Sequence, residues 1–246
     1  MDVSSYVLLS HEQALRRRLD ITANNMANSS TAGFKREQPV FHDYVENGTG
    51  GVVEGADRTA YVLDYGATHN TAAGTFTPTS NPLDVMIEGP GYLSVEAPDG
   101  GVAYTRAGYL KVSASGDLVT ANGQRLLGEG GQPINIPPEE QAGVTIGADG
   151  SVIGKQGALG RMTVTVFDEA TVTPRGDGLM TGDNGRILGA AETKIKMGGI
   201  EASNIQPIGE TTAMVDILRA YQSSQAISQS INDMRSRAID RLSRSN

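Results

Sequence analysis

The sequence predicts an α+β protein with N- and C-terminal helices paired as a coiled-coil-like bundle, a central antiparallel β-rich domain and an extended connector. Three observations carry this reading. Sustained helical spacing of apolar residues occurs near the two ends of the chain. The middle breaks into short β-prone runs separated by Gly-containing turns. Gly is abundant, at 31 of 246 residues, while aromatics make up 5% and Trp and Cys are absent; such a composition suits many turns and short strands better than a core of large residues. The expected division is 1–35 and 207–246 for the terminal helical domain, 36–80 and 190–206 for the connector, and 81–189 for the β-rich outer domain.

The first helix is expected over residues 3–28. Leu8, Leu15, Leu19, Thr22 and Met26 recur at spacings of seven, four, three and four, and Arg16, Arg17, Arg18 and Asp20 lie mostly off that stripe. A helix of that length needs a partner for its apolar face. It ends in Asn24, Asn25 and Asn28, whose side chains compete for backbone hydrogen bonds. Gly33 then permits the left-handed conformation that turns a chain away, and Phe34 offers an apolar anchor.

Residues 37–80 show no sustained period and read as a connector, with β-prone pieces at 61–63 and 75–77. Short strands are expected at 83–87, 92–96, 102–106, 109–113, 118–121, 124–127, 144–146, 151–153 and 161–167. Asp99-Gly100, Ser115-Gly116, Asn122-Gly123 and Asp149-Gly150 separate them, and Asn122-Gly123 is the strongest signal for a type I′ hairpin. Residues 168–200 are rich in Gly and read as loop, where the chain leaves the β domain. Helical spacing returns from 208 to 242 through Ile217, Tyr221, Ser224, Ser228, Ile231, Met234, Ala238 and Leu242, with Pro207 suited to the first turn and Asn204 or Gln206 near the N-cap.

Charge and motif content exclude several functions. The net charge is −8: the first 36 residues and the last sixteen each carry +2, which leaves −12 for the middle. An acidic middle argues against nucleic-acid binding. No apolar run is long enough to span a membrane. The N-terminus lacks a basic segment and a secretory apolar core, so any export is expected to proceed without a cleaved signal peptide. Gly89-Pro90-Gly91 lacks the third glycine and the following helix of a dinucleotide site. His11, His42 and His69 have no metal-ligand spacing, and no Gly-x-Ser-x-Gly elbow is present. No catalytic, cofactor-binding or metal residues are therefore assigned. Residue chemistry alone points to an assembly subunit whose paired ends carry a β domain. Two other classes remain open: a β-rich surface or binding module, and an enzyme with two facing carboxylates, which would need a cleft between them.

Four stretches resemble one known family. They are Ala23-Asn24-Asn25-Met26-Ala27-Asn28 with Thr31-Ala32-Gly33-Phe34-Lys35-Arg36; Asn81-Pro82-Leu83-Asp84 through Gly89-Pro90-Gly91-Tyr92; Tyr104-Thr105-Arg106-Ala107-Gly108 with Asp117-Leu118 through Asn122-Gly123; and Glu201-Ala202-Ser203-Asn204-Ile205 followed by Arg219-Ala220-Tyr221-Gln222. In order and content they resemble the flagellar basal-body rod and hook proteins. The length and opening are most similar to the proximal-rod members, with the distal-rod members next. Pro90 departs from the family's usual Asp, and the tail 236–246 is long.

The resemblance implies a structural, non-enzymatic subunit without cofactors, which polymerises helically with its own copies into the hollow periplasmic rod. The other rod proteins, proximal and distal, and the flagellar type III export apparatus would be its partners, with no nucleic acid and no membrane insertion. Candidate assembly residues are Leu8, Leu15, Leu19, Asn24, Asn25, Met26, Asn28, Gly33, Phe34, Asn204, Ile217, Tyr221, Ile231 and Met234. Gly33 is expected to turn the chain and Phe34 to pack on a neighbouring segment. Gly33→Val is then expected to impair assembly more than the folding of the β domain.

Overall fold

The computed structural model describes residues 3–47, 58–168 and 171–244. It contains an N-terminal and a C-terminal helix and a β-rich central region whose strands pair antiparallel. The chain divides into two compact units. The first comprises Met1–Ala27, Glu37–Thr68 and Gln206–Asn246, and the second Asn28–Arg36 and His69–Ile205.

In the first unit, α1 (Val3–Ala27) packs on α2 (Pro207–Arg244). Leu15 and Thr22 of the expected stripe are buried, and Leu8, Leu19 and Met26 are half-buried. Ile217 and Ser224 are the buried seam residues of α2, and Ser224 Oγ donates to Glu12 Oε1 at 3.3 Å. Burial is concentrated in the C-terminal half of α1 and the N-terminal half of α2, as in an antiparallel pair. The expected seam stops short. Met234 and Leu242 are 58% and 71% exposed, and α2 has 38 residues against 25 in α1. Pro207 opens α2, as the sequence suggests.

The stretch read as a connector holds two long strands, β1 (Glu37–Asn47) and β2 (Arg58–His69), which pair in a two-stranded sheet. β1 packs on α1, and Arg17 Nε meets Asp64 Oδ2 at 3.2 Å. Tyr44, Val45, Leu63 and Tyr65 are all exposed, so neither face of the ribbon is a buried one. Alternation in sequence arises from a buried face, and without one these strands leave no period of two.

The second unit holds β3 (Phe76–Pro78), β4 (Val85–Ile87), β5 (Tyr92–Glu96), β6 (Val102–Thr105), β7 (Leu110–Val112), β8 (Leu118–Thr120), β9 (Thr145–Ile146), β10 (Ser151–Ile153), β11 (Ala158–Arg161), β12 (Val164–Val166), β13 (Val172–Gly176), β14 (Leu179–Gly182), β15 (Arg186–Ile187), β16 (Ile195–Met197) and β17 (Gly199–Glu201). The largest sheet has the order β13-β14-β6-β5-β12-β15, and the remaining strands form the small sheets β11-β10-β9, β16-β4, β17-β3 and β7-β8. They enclose one core in which Leu93, Val95, Leu118, Leu126, Ile136 and Val152 are buried.

Two sequence readings change here. Residues 168–200 do not leave the β unit: β13 and β14 form a hairpin at one edge of the large sheet, and β16 and β17 pair with β4 and β3. Most of β13 is exposed and it carries Pro174, a residue that edge strands tolerate, so its sequence reads as loop. The run 124–127 forms isolated bridges instead of a strand, because Leu126 faces Val95 while Arg125 faces Val119.

The Asn122-Gly123 hairpin also differs from the type I′ form. Gly123 N donates to Thr120 O at 3.0 Å, Thr120 N donates to Gln124 O at 2.9 Å, and of the two turn residues only Gly123 has positive φ, at 90°. This is a type I turn followed by a left-handed glycine. The same paired bonds close the loops at Gly100, Gly116 and Gly150.

Candidate functional site: a buried ion cluster

Glu201, at the end of β17, is 1% exposed, so its carboxylate must find partners inside the protein. Oε1 accepts from Lys35 Nζ at 2.6 Å and from Gly74 N at 2.8 Å. Oε2 accepts from Arg106 Nη1 at 3.1 Å. The Glu201 backbone carbonyl accepts from Gly33 N at 2.8 Å. Lys35 Nζ also donates to Ala72 O at 2.8 Å, and Arg106 Nη2 to Gly89 O at 2.6 Å. One carboxylate therefore ties together the segments at 33–35, 72–74, 106 and 201.

Asn204 makes a second tie a few residues on. Its Oδ1 accepts from Arg36 N at 2.7 Å, and its Nδ2 donates to Asn70 O at 2.8 Å and Ala72 O at 3.0 Å. Asn70 N donates to Arg36 O at 2.8 Å, which closes the ring. These are the segments through which the chain enters and leaves this unit.

Two glycines let the backbones approach. A Cβ at Gly33 would lie 2.5 Å from the carbonyl carbon and oxygen of Arg106, and Gly33 has φ +69°. A Cβ at Gly74 would lie 1.8 Å from Ala202 O. Pro90 sits in a turn between Gly89 and Gly91, both at positive φ.

Electrostatically, two cations share one carboxylate. Burial pushes the Lys35 ammonium below its ordinary value of 10.5, the Glu201 hydrogen bond and charge oppose this, and the neighbouring Arg106 charge adds to it. Between the lowered folded value and 10.5 the unfolded chain binds more protons than the folded one, so this group makes stability rise with pH in that window. The urea midpoint of the wild type should increase over the alkaline range relative to Lys35→Met. Parallel pH profiles for the two proteins would refute this.

The remaining candidate residues fall in different places. Asn25 is buried in the first unit and pairs with the backbone of a single residue: Nδ2 donates to Glu37 O and Glu37 N donates to Oδ1, each at 2.9 Å. Asn25→Ala should cost about 2 kcal/mol, because it leaves a backbone donor and acceptor unpaired; chemical denaturation of the variant measures it. Asn28 stands where the chain enters the second unit, and its carbonyl accepts from Thr31 N at 3.1 Å. Gly33, Phe34 and Asn204 converge at the ion cluster, with Phe34 half-buried and its carbonyl accepting from Asn204 N at 3.4 Å. Asn24 is exposed, and Tyr221 and Ile231 are half-buried on α2.

Sequence reasoning passed over Lys35, Arg106 and Glu201, although all three lie inside the quoted stretches. The available signal was a charged residue set directly beside an apolar one, as in Phe34-Lys35 and Ile200-Glu201.

Helices that keep apolar residues exposed, together with a β unit fastened by buried ions, fit a structural subunit. The comparisons with known proteins agree. Residues 6–35 match the family described as "Flagella basal body rod protein", residues 86–154 the "Flagellar hook protein FlgE/F/G D1 domain", and residues 197–241 the "Flagellar basal body rod FlgEFG protein C-terminal". The chain is 36% identical over 250 residues to the flagellar basal-body rod protein FlgF of Caulobacter vibrioides, covering 100% of both chains. It is 31% identical to FlgF of Salmonella typhimurium, again over 100% of both. Against FlgG of Agrobacterium fabrum it is 30% identical over 91% of this chain and 93% of the relative. The chain belongs to the flagellar basal-body rod protein family.

Proposed function

We propose that this chain is a FlgF-like structural subunit of the bacterial flagellar rod, which polymerises helically in the periplasmic shaft and transmits torque through it. The observation that carries this reading is the end-to-end correspondence with FlgF of Caulobacter vibrioides, at 36% identity with no part of either chain left over. The FlgG relative is covered less completely, which supports the proximal over the distal assignment.

In this reading α1 and α2 line the inner tube as a coiled-coil-like pair and the β-rich unit faces outward. Copies of the chain and the adjoining rod proteins are its neighbours. It reaches the basal body through the flagellar type III export apparatus without a cleaved signal peptide. Torque transmission needs many contacts per subunit, and interfaces that do not close on themselves produce a helical polymer. The exposed Met234, Ile239 and Leu242 on α2 give such contacts apolar material.

Deletion of the gene should abolish motility and stop rod growth; a deletion strain with complete, rotating flagella would overturn the proposal. Met234→Glu should leave monomer stability within about 0.5 kcal/mol, as expected at an exposed position, and still block motility. Normal swimming with this variant would remove Met234 from the interface.

A further inference from the structure

The β1–β2 ribbon has two different faces. Side chains alternate along a strand, so His42 and Tyr44 share one face of β1, and Leu63 and Tyr65 share one face of β2. The His42 and Tyr65 rings lie 4.6 Å apart, which puts both pairs on the same face. Asp64 points the other way and meets Arg17 of α1. The face turned from α1 therefore carries two tyrosines, a leucine and a histidine, all exposed, with Tyr44 at 53% and Tyr65 at 75%. Aromatic residues gathered on an open face are the material of protein interfaces.

The same unit leaves a second surface open. Glu12 of α1 meets Ser224 of α2, and the buried residues run in opposite directions along the two helices, through Leu15, Thr22 and Asn25 in one and Ile217 and Glu210 in the other. With equal rises along such an antiparallel pair, Val3, the first described residue of α1, falls opposite roughly residue 233, within about a turn. The last turns of α2 thus have no described residue of α1 beside them, and Met234, Ile239 and Leu242 are exposed there. This tail cannot reach Tyr65 of its own chain: Asp64 is fastened at the level of Arg17, and Leu242 lies roughly 30–35 Å further along the helix pair.

We infer that the outward face of the ribbon receives the α2 tail of a neighbouring copy of this chain. Charge selects this occupant. Residues 37–69 carry six carboxylates against one arginine, whereas residues 234–246 carry four arginines against one aspartate. Two acidic ribbons repel one another, and an acidic ribbon attracts a basic tail. Arg235 and Arg241 adjoin Met234 and Leu242 in sequence, so apolar and cationic groups arrive together, and a guanidinium stacks favourably on a tyrosine ring. The contact is heterologous, of the kind that propagates along a polymer. The inference rests on the reading of the chain as a polymerising subunit and names one of its interfaces.

The chain has no cysteine, so disulfide trapping tests the contact directly. Full-length Tyr65→Cys and Leu242→Cys proteins, both altered at exposed positions, are mixed at high concentration and oxidised. Their mixed dimer should form at least about tenfold faster than that of Tyr65→Cys with Ile153→Cys, an exposed position of the β-rich unit. Raising the salt from about 0.02 to about 0.5 M should remove most of that advantage over the control pair, because the attraction is between exposed charges. Adding Arg237→Glu and Arg241→Glu to the tail should do the same at low salt. A mixed dimer no faster than the control, faster joining of two Leu242→Cys chains, or an advantage untouched by salt would each overturn the inference.

The outcomes separate this contact from the rod assignment. A deletion strain that swims normally removes the rod, while a trapped mixed dimer still stands as self-association of this chain. A non-motile deletion strain together with no trapped dimer keeps the rod and removes only this contact.

Discussion

Replacing Glu201 with alanine should destabilise the β-rich unit by roughly 3–5 kcal/mol, the range for removing one partner of a buried ion pair. Two cations lose their only shared carboxylate: Lys35, 1% exposed, and Arg106, 7% exposed. Gly74 N loses its acceptor at the same time. Glu201→Gln should recover little, since it restores shape but not charge. Lys35→Met should be milder, because Glu201 and Arg106 still form a neutral pair. The double variant Lys35→Met/Glu201→Ala should show a coupling of roughly 0.5–3 kcal/mol. Urea denaturation followed by circular dichroism reads all four proteins. A Glu201→Ala midpoint close to wild type would show that the cluster contributes little to holding these segments.

Gly33→Val should cost roughly 4 kcal/mol or more, in the range reserved for backbone conflicts and core defects. Two effects add. A β-branched side chain is poorly tolerated at φ +69°, and its Cβ would meet the Arg106 backbone at 2.5 Å. Because Arg106 belongs to the same β-rich unit, the damage should appear in that unit's own stability as well as in assembly. The geometry thus revises the expectation, drawn from sequence, that assembly would suffer more. Gly33→Ala separates the two causes. Left-handed strain alone costs an alanine about 1–2 kcal/mol, whereas the close approach penalises the first carbon of any side chain. An alanine variant costing no more than the strain would show that Arg106 yields easily.

The helices were legible because each buries one face, and a buried face leaves its period in the sequence. The extent of the seam was less so. Met234 continues the spacing of Ile217, Tyr221 and Ile231 but is 58% exposed. The strands of the β unit were legible where they are buried, as at Tyr92–Glu96 and Leu118–Thr120. They were illegible in β1, β2 and β13, where no described residue is buried and so no alternation marks a face. Gly33 could be identified as a turning point, but the backbone it accommodates could not.

The sequence by itself determined the two terminal helices, the run of glycine turns through the middle and the family, because these depend on local chemistry and on ordered short stretches. Tertiary structure alone decided that Lys35, Arg106 and Glu201 meet. They stand 71 and 95 residues apart along the chain, and each in isolation is an ordinary charged residue expected in water. Only the pairing of β17 with β3, and the return of the chain beside residues 33–36, removes that water and makes one carboxylate the shared partner of both cations.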